Sequence, residues 1–72
     1  MNLSNFNRED YWCYQAFNPV KKILEIRIGK YGSSDVILRK YRKLTDYEIE
    51  HSFHSIVDET IQECFKELEN EQ

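Results

Sequence analysis

The sequence predicts an α+β fold: a three-stranded antiparallel sheet, in β-β-β-α order, packed on one long C-terminal amphipathic helix. Three observations carry this reading. From Leu24 to Ile28, and again around Val36–Tyr41, apolar and polar residues follow the two-residue period of half-buried strands. From Ile49 to Leu68, apolar residues instead recur every three or four positions, the period of one helix face. Between the two patterns, Thr45-Asp46-Tyr47-Glu48 matches a helix-starting capping box.

The elements follow in order. Residues 1–9 are Asn-rich and read as a flexible arm, with only Leu3 and Phe6 able to anchor it; residues 10–72 form the single domain. The run Tyr11-Trp12-Cys13-Tyr14-Gln15-Ala16-Phe17 is aromatic and favours a strand, ended by the Asn18-Pro19 turn. A short helix capped by Asn7 competes with it. Leu24, Ile26 and Ile28 put one face of the second strand in the core. Gly32-Ser33-Ser34-Asp35 then turns the chain into a third strand, making a hairpin.

Parity fixes how this hairpin faces, because a one-residue slip would send every side chain to the wrong side. An odd-length loop sets Val36 and Leu38 with Leu24, Ile26 and Ile28. It leaves Ile23, Glu25, Arg27, Ile37, Arg39 and Tyr41 on the other face. Among odd registers, a Tyr31-Gly32-Ser33 loop is expected, since it places Glu25 opposite Arg39 rather than Arg27 opposite Arg39. In the helix, Leu44 before the cap can staple onto Ile49. The apolar stripe is Ile49, Phe53, Ile56, Val57, Ile61, Cys64, Phe65 and Leu68, with no Gly or Pro to interrupt it and fraying from Asn70.

Composition narrows the class further. Seventy-two residues suit one domain with a small core. Hydrophobic residues at 40% and aromatics at 14% favour a packed domain over disorder. Two cysteines, Cys13 and Cys64, make no disulfide framework and read as reduced thiols. The opening Met1-Asn2-Leu3-Ser4 lacks a basic segment followed by an apolar run, and no stretch reaches the ~18 apolar residues of a membrane span, so a cytoplasmic location is expected and no membrane partner. Charge is strongly segregated. Residues 21–43 carry eight basic residues against two acidic, and residues 44–72 carry one basic against nine acidic. The two segments should attract each other on packing.

Motifs of chemistry are weak. Glu50, His51, His54 and Asp58 sit at helical spacing, but a metal needs further ligands, and only Cys13 is a soft donor outside the helix. The pattern is that of a solvated helix face with ordinary charge pairing. Cys64 lies on the apolar stripe beside Glu63 and Glu67, which oppose thiolate formation. Ser52 and Ser55 near the histidines do not make a catalytic triad, which needs a buried orienting carboxylate and an oxyanion hole. Gly29 and Gly32 belong to the hairpin, leaving no phosphate loop. Neither an enzyme nor a cofactor is expected.

What remains is surface. One helix covers one face of a sheet, and the second face is rich in Ile, Tyr and Arg. To it the first strand adds either Tyr11, Cys13, Gln15 and Phe17 or Trp12, Tyr14 and Ala16; the first set is expected, because Gln15 fits poorly in a core. The expected interaction face is thus Tyr11, Phe17, Ile23, Arg27, Ile37, Arg39 and Tyr41, serving a homodimer or a protein partner, since exposed apolar area of this kind marks interfaces. Two alternatives stand beside it. Nucleic acid could bind the aromatic strand and the basic residues Lys21, Lys22, Arg39, Lys40, Arg42 and Lys43. Or the acidic helix could mimic a phosphate array.

Overall fold

The computed structural model describes residues 6–71. Within them a single 3-10 turn, Arg8–Asp10, leads into three strands, β1 (Tyr11–Asn18), β2 (Ile23–Lys30) and β3 (Val36–Lys43), followed by α1 (Asp46–His51) and α2 (Phe53–Asn70). The strands form one antiparallel sheet in the order β1-β2-β3. The chain is therefore the α+β arrangement that the two periodicities demand.

The core lies between one side of the sheet and the helices. Leu24, Ile26 and Ile28 are buried there with Leu44, Ile56, Val57, Cys64, Phe65 and Leu68. Full burial of an aliphatic or aromatic side chain contributes roughly 1.5–3 kcal/mol, so this set is the main source of stability. Thr60, at 1% exposed, is the one polar member among the described residues. Its hydroxyl donates to the Ile56 carbonyl one turn back, at 2.7 Å, which removes the cost of burying an unpaired polar group.

The capping box forms as its residue types require. The Glu48 amide donates to the Thr45 hydroxyl at 3.2 Å, and the Thr45 amide donates to the Glu48 carboxylate at 2.9 Å. Leu44 is buried just before it, and Ile49 packs half-buried on the same core. The helix is not continuous, however. Ser52 leaves helical geometry (φ −135°, ψ 17°) and separates α1 from α2. Hydrogen bonds run on through the break, from Ser52 to Glu48 and from Ile56 to Ser52. No Gly or Pro causes it. The segment His51-Ser52-Phe53-His54-Ser55 is made of residues with middling helix propensity, and Phe53 there meets the Phe17 ring edge-on at 5.1 Å.

The hairpin differs from expectation in register and, at Val36, in facing. Glu25 lies opposite Tyr41, and Arg27 opposite Arg39, with a bulge at Ile28/Gly29. The shift from the expected pairing is two residues, which preserves parity and hence facing from Ile23 to Ile28; past the bulge Val36 lies opposite Gly29 rather than on the core side expected for it. The like-charged Arg pair is tolerated because Glu25 reaches Arg39 diagonally, at 3.4 Å. Gly32 supplies the left-handed turn residue, φ 91°. At the other connection Lys22 takes φ 59°, held by its carbonyl, which accepts from the Leu44 amide, and by its ammonium, 2.5 Å from Asp46.

The segment read as an arm is partly tied down. Phe6 stacks on Tyr11 at 5.2 Å and meets Phe65 edge-on, while Arg8 sits over the Phe65 ring and donates to Gln62. Asn7 caps the 3-10 turn through the Glu9 amide. Leu3 and the rest of residues 1–5 lie outside the described residues.

Candidate interaction face

The sheet side away from the helices is built by alternation. Opposed residues of antiparallel strands share a face, so Trp12, Tyr14 and Ala16 join Gly29, Arg27 and Glu25 on it. From β3 come Arg39, Tyr41 and Lys43, opposite Arg27, Glu25 and Ile23, together with Ile37, the unpaired and exposed residue of the bulge. Ile23, Arg27, Ile37, Arg39 and Tyr41 are therefore brought together on the open face, as the alternation implies.

Tyr11 and Phe17 are not among them. They lie with Leu24, Ile26 and Ile28 on the helix side, where both pack against the core. The expectation that placed them outside rested on Gln15 being a poor core residue, and the geometry removes that premise. Other segments cover the two ends of β1's inner side, α2 where Phe17 meets Phe53 and the N-terminal segment where Tyr11 meets Phe6, while Cys13 and Gln15 between them stay exposed. Gln15 faces the helix layer without entering a core.

Trp12 and Tyr14 take their place outside. Gly29 is the signal that points to Trp12, because glycine inside a strand marks a close approach. A Cβ on Gly29 would lie 2.1 Å from the Trp12 ring and 2.5 Å from the Asp35 carbonyl oxygen. The indole lies over the glycine, and its N–H donates to the Ser33 carbonyl at 3.0 Å, closing the hairpin loop.

At the centre of the face stands Glu25, whose side chain is only 15% exposed. Arg27 donates to it twice, at 2.9 and 3.1 Å. Arg39 approaches it from the next strand. The Arg27 hydrogen bond holds the Glu25 carboxyl below its usual range against a desolvation that raises it, with Tyr41, Arg27 and Arg39 also lowering it. The same contact raises Arg27. Tyr14 lies 5.2 Å from the Arg27 guanidinium, a cation-π distance. Around this charged centre Tyr14, Ile37 and Tyr41 stand 50%, 48% and 59% exposed. A shallow depression bordered by Ala16, Pro19, Ile23 and Tyr41 opens beside it.

Elsewhere the segregated charges meet. Lys40 pairs with Glu67, Lys22 with Asp46, and Arg42 lies 4.0 and 3.8 Å from Glu48 and Glu59. Basic strand and acidic helix thus pair with each other across the inner layer. Among the described residues no three of His, Cys, Asp and Glu gather into a group that could hold a metal. His51 stacks near Tyr47, and His54 near Phe53. Both cysteines are free, and burial pushes the Cys64 thiol up to about 11, far from a nucleophile's range. No helix among the described residues is long and apolar enough to cross a membrane.

The class so defined is a two-layer α+β domain with one sheet face covered and one open. Comparison with protein families, curated proteins and solved structures finds no match for it.

Proposed function

We propose that this chain is a non-enzymatic interaction module that binds a protein partner through the open face of its sheet. The carrying observation is the half-exposed set Tyr14, Ile37 and Tyr41 around the Arg27–Glu25–Arg39 cluster. Tyr and Arg dominate the residues whose truncation weakens protein interfaces. Their clustering around one nearly covered carboxylate supplies an ordered centre with an apolar surround. Arg39 keeps 47% of its side chain exposed, which suits a carboxylate on the partner.

Two observations favour protein over nucleic acid. Lys22, Lys40 and Arg42 are already paired with Asp46, Glu67, Glu48 and Glu59, so much of the basic segment's charge is answered within the molecule. The face itself offers Arg27, Arg39 and Lys43 against Glu25, a small excess for a phosphate backbone whose binding scales with the number of phosphates neutralised. The same pairs engage the inner carboxylates of the helices, which weakens a phosphate-mimic role.

A photo-crosslinking residue at Ile37, in cells that express the protein, tests this reading. A discrete protein adduct is expected, lost when Arg39→Glu is added and absent when the probe sits at Glu69 on α2. Nucleic-acid adducts, adducts only with further copies of this chain, or no adduct specific to Ile37 would each contradict it.

A further inference from the structure

The two edges of the sheet are built differently, and one of them is prepared for a second copy of this chain. We infer that β1 pairs antiparallel with β1 of another copy, Gln15 opposite Gln15 on a two-fold axis, joining two sheets into one of six strands. This concerns an edge and not the open face, so it stands or falls apart from the reading above.

The free backbone groups of β1 can be assigned. The Tyr31 amide donates to the Asp10 carbonyl at 2.9 Å, and antiparallel pairs alternate between bonded and non-bonded. Trp12, Tyr14, Ala16 and Asn18 therefore direct their amides and carbonyls to β2. Those of Cys13, Gln15 and Phe17 point out along the edge. The row is bounded on both sides, because the Tyr11 amide is already given to the Arg8 carbonyl and Pro19 has no amide. Only one antiparallel register uses all of it: Gln15 with Gln15, and Cys13 with Phe17 of the other copy, in both directions.

That register is also self-complementary in side chains. On the open side it sets Tyr14 opposite Ala16 of the second copy, a large residue over a small one. On the helix side Cys13 lies opposite Phe17, again small against large, and the two Gln15 amides can hydrogen-bond each other. Beyond the strand ends, the acidic Glu9 and Asp10 of one copy come beside Lys21 of the other. All three are exposed, and none makes an ion pair with another described residue. The β3 edge offers nothing comparable. It carries Arg39, Lys40, Arg42 and Lys43, the kind of charge that prevents edges from pairing with themselves, whereas β1 from Tyr11 to Asn18 has no charged residue.

The oligomeric state tests this with the full chain. Sedimentation or light scattering at high micromolar protein should give twice the chain mass of 8.8 kDa. Gln15→Pro removes an outward amide without touching the β1–β2 ladder. It should halve the measured mass while far-UV circular dichroism is unchanged. Gln15→Cys, in a Cys13→Ser background, should crosslink to itself on mild oxidation. It decides the register even should the proline variant not fold. Ile37→Lys with Tyr41→Ser should remain dimeric. A monomeric wild type, a folded Gln15→Pro dimer, no Gln15→Cys crosslink, or a dimer lost on altering Ile37 and Tyr41 alone would each overturn the edge pairing.

Discussion

Along β2, Leu24, Ile26 and Ile28 are sealed beneath α2, while Ile23, Glu25 and Arg27, one residue away on the same strand, look out from the other side. The two faces share a backbone and differ in what covers them. On the inner side apolar burial sets stability, and charges appear only at the rim, where Lys40 and Arg42 meet the helix carboxylates. On the outer side the charges occupy the centre and the apolar residues are half-exposed. A sheet face arranged in this second way is not what folding alone requires, and that contrast gives the open face its functional interest.

The contrast can be broken by substitution. Ile26 is 0% exposed, so Ile26→Ala should cost about 2–5 kcal/mol in urea unfolding, the range for truncating a buried aliphatic residue. Ile37→Ala on the open face should stay within about 0.5 kcal/mol. Equal costs would mean that the faces do not divide their roles.

Gly29→Ala comes next in size. The added methyl would meet both the Trp12 ring and the Asp35 carbonyl, and overpacking of this kind costs about 1–3 kcal/mol. Trp12 is the only tryptophan, so its emission reports the displacement directly. An unchanged spectrum and midpoint would show that the indole does not rest on Gly29. Thr45→Ala, which removes the cap of α1, should cost about 1 kcal/mol, read as a lower denaturant midpoint.

The smallest effect belongs to Glu25 and sharpens the comparison through pH. Its carboxyl is held below the ordinary 4.5 by Arg27 first. A depressed acid stabilises the fold above its unfolded value, and that contribution is lost as pH falls through the folded value. The midpoint gap between wild type and Glu25→Gln should therefore be constant above about pH 4.5 and close below it. A gap that widens in acid would contradict the ion pairs at the centre of the face.

How much of this is legible from residues alone depends on which constraint is local. The cap at Thr45 and Glu48 is written in four consecutive residues, and it forms. Facing in the hairpin follows from parity, and it is as expected up to the bulge, beyond which Val36 lies opposite Gly29. Register within that parity is not local: the bulge at Ile28/Gly29 and the diagonal reach of Glu25 to Arg39 make a two-residue shift acceptable. The inner face of β1 is hidden for a different reason. Whether Gln15 must be satisfied in a core depends on where the helices end over the sheet, which no alternation within β1 encodes. Thr60 is missed because Thr60 and Ile61 both fit the helical stripe. Hydropathy selects Ile61, while facing and the Ile56 carbonyl select Thr60. The break at Ser52 has no glycine or proline to announce it.

The central claim is that the open face is dispensable for folding and hence free for a partner. Its most direct test is the urea unfolding midpoint of the double variant Ile37→Lys with Tyr41→Ser, compared with wild type. Each site should contribute no more than about 0.5 kcal/mol, leaving a folded protein with a near-native midpoint. Loss of about 2 kcal/mol or more, or outright unfolding, would place both residues among those that hold the fold together and contradict the claim.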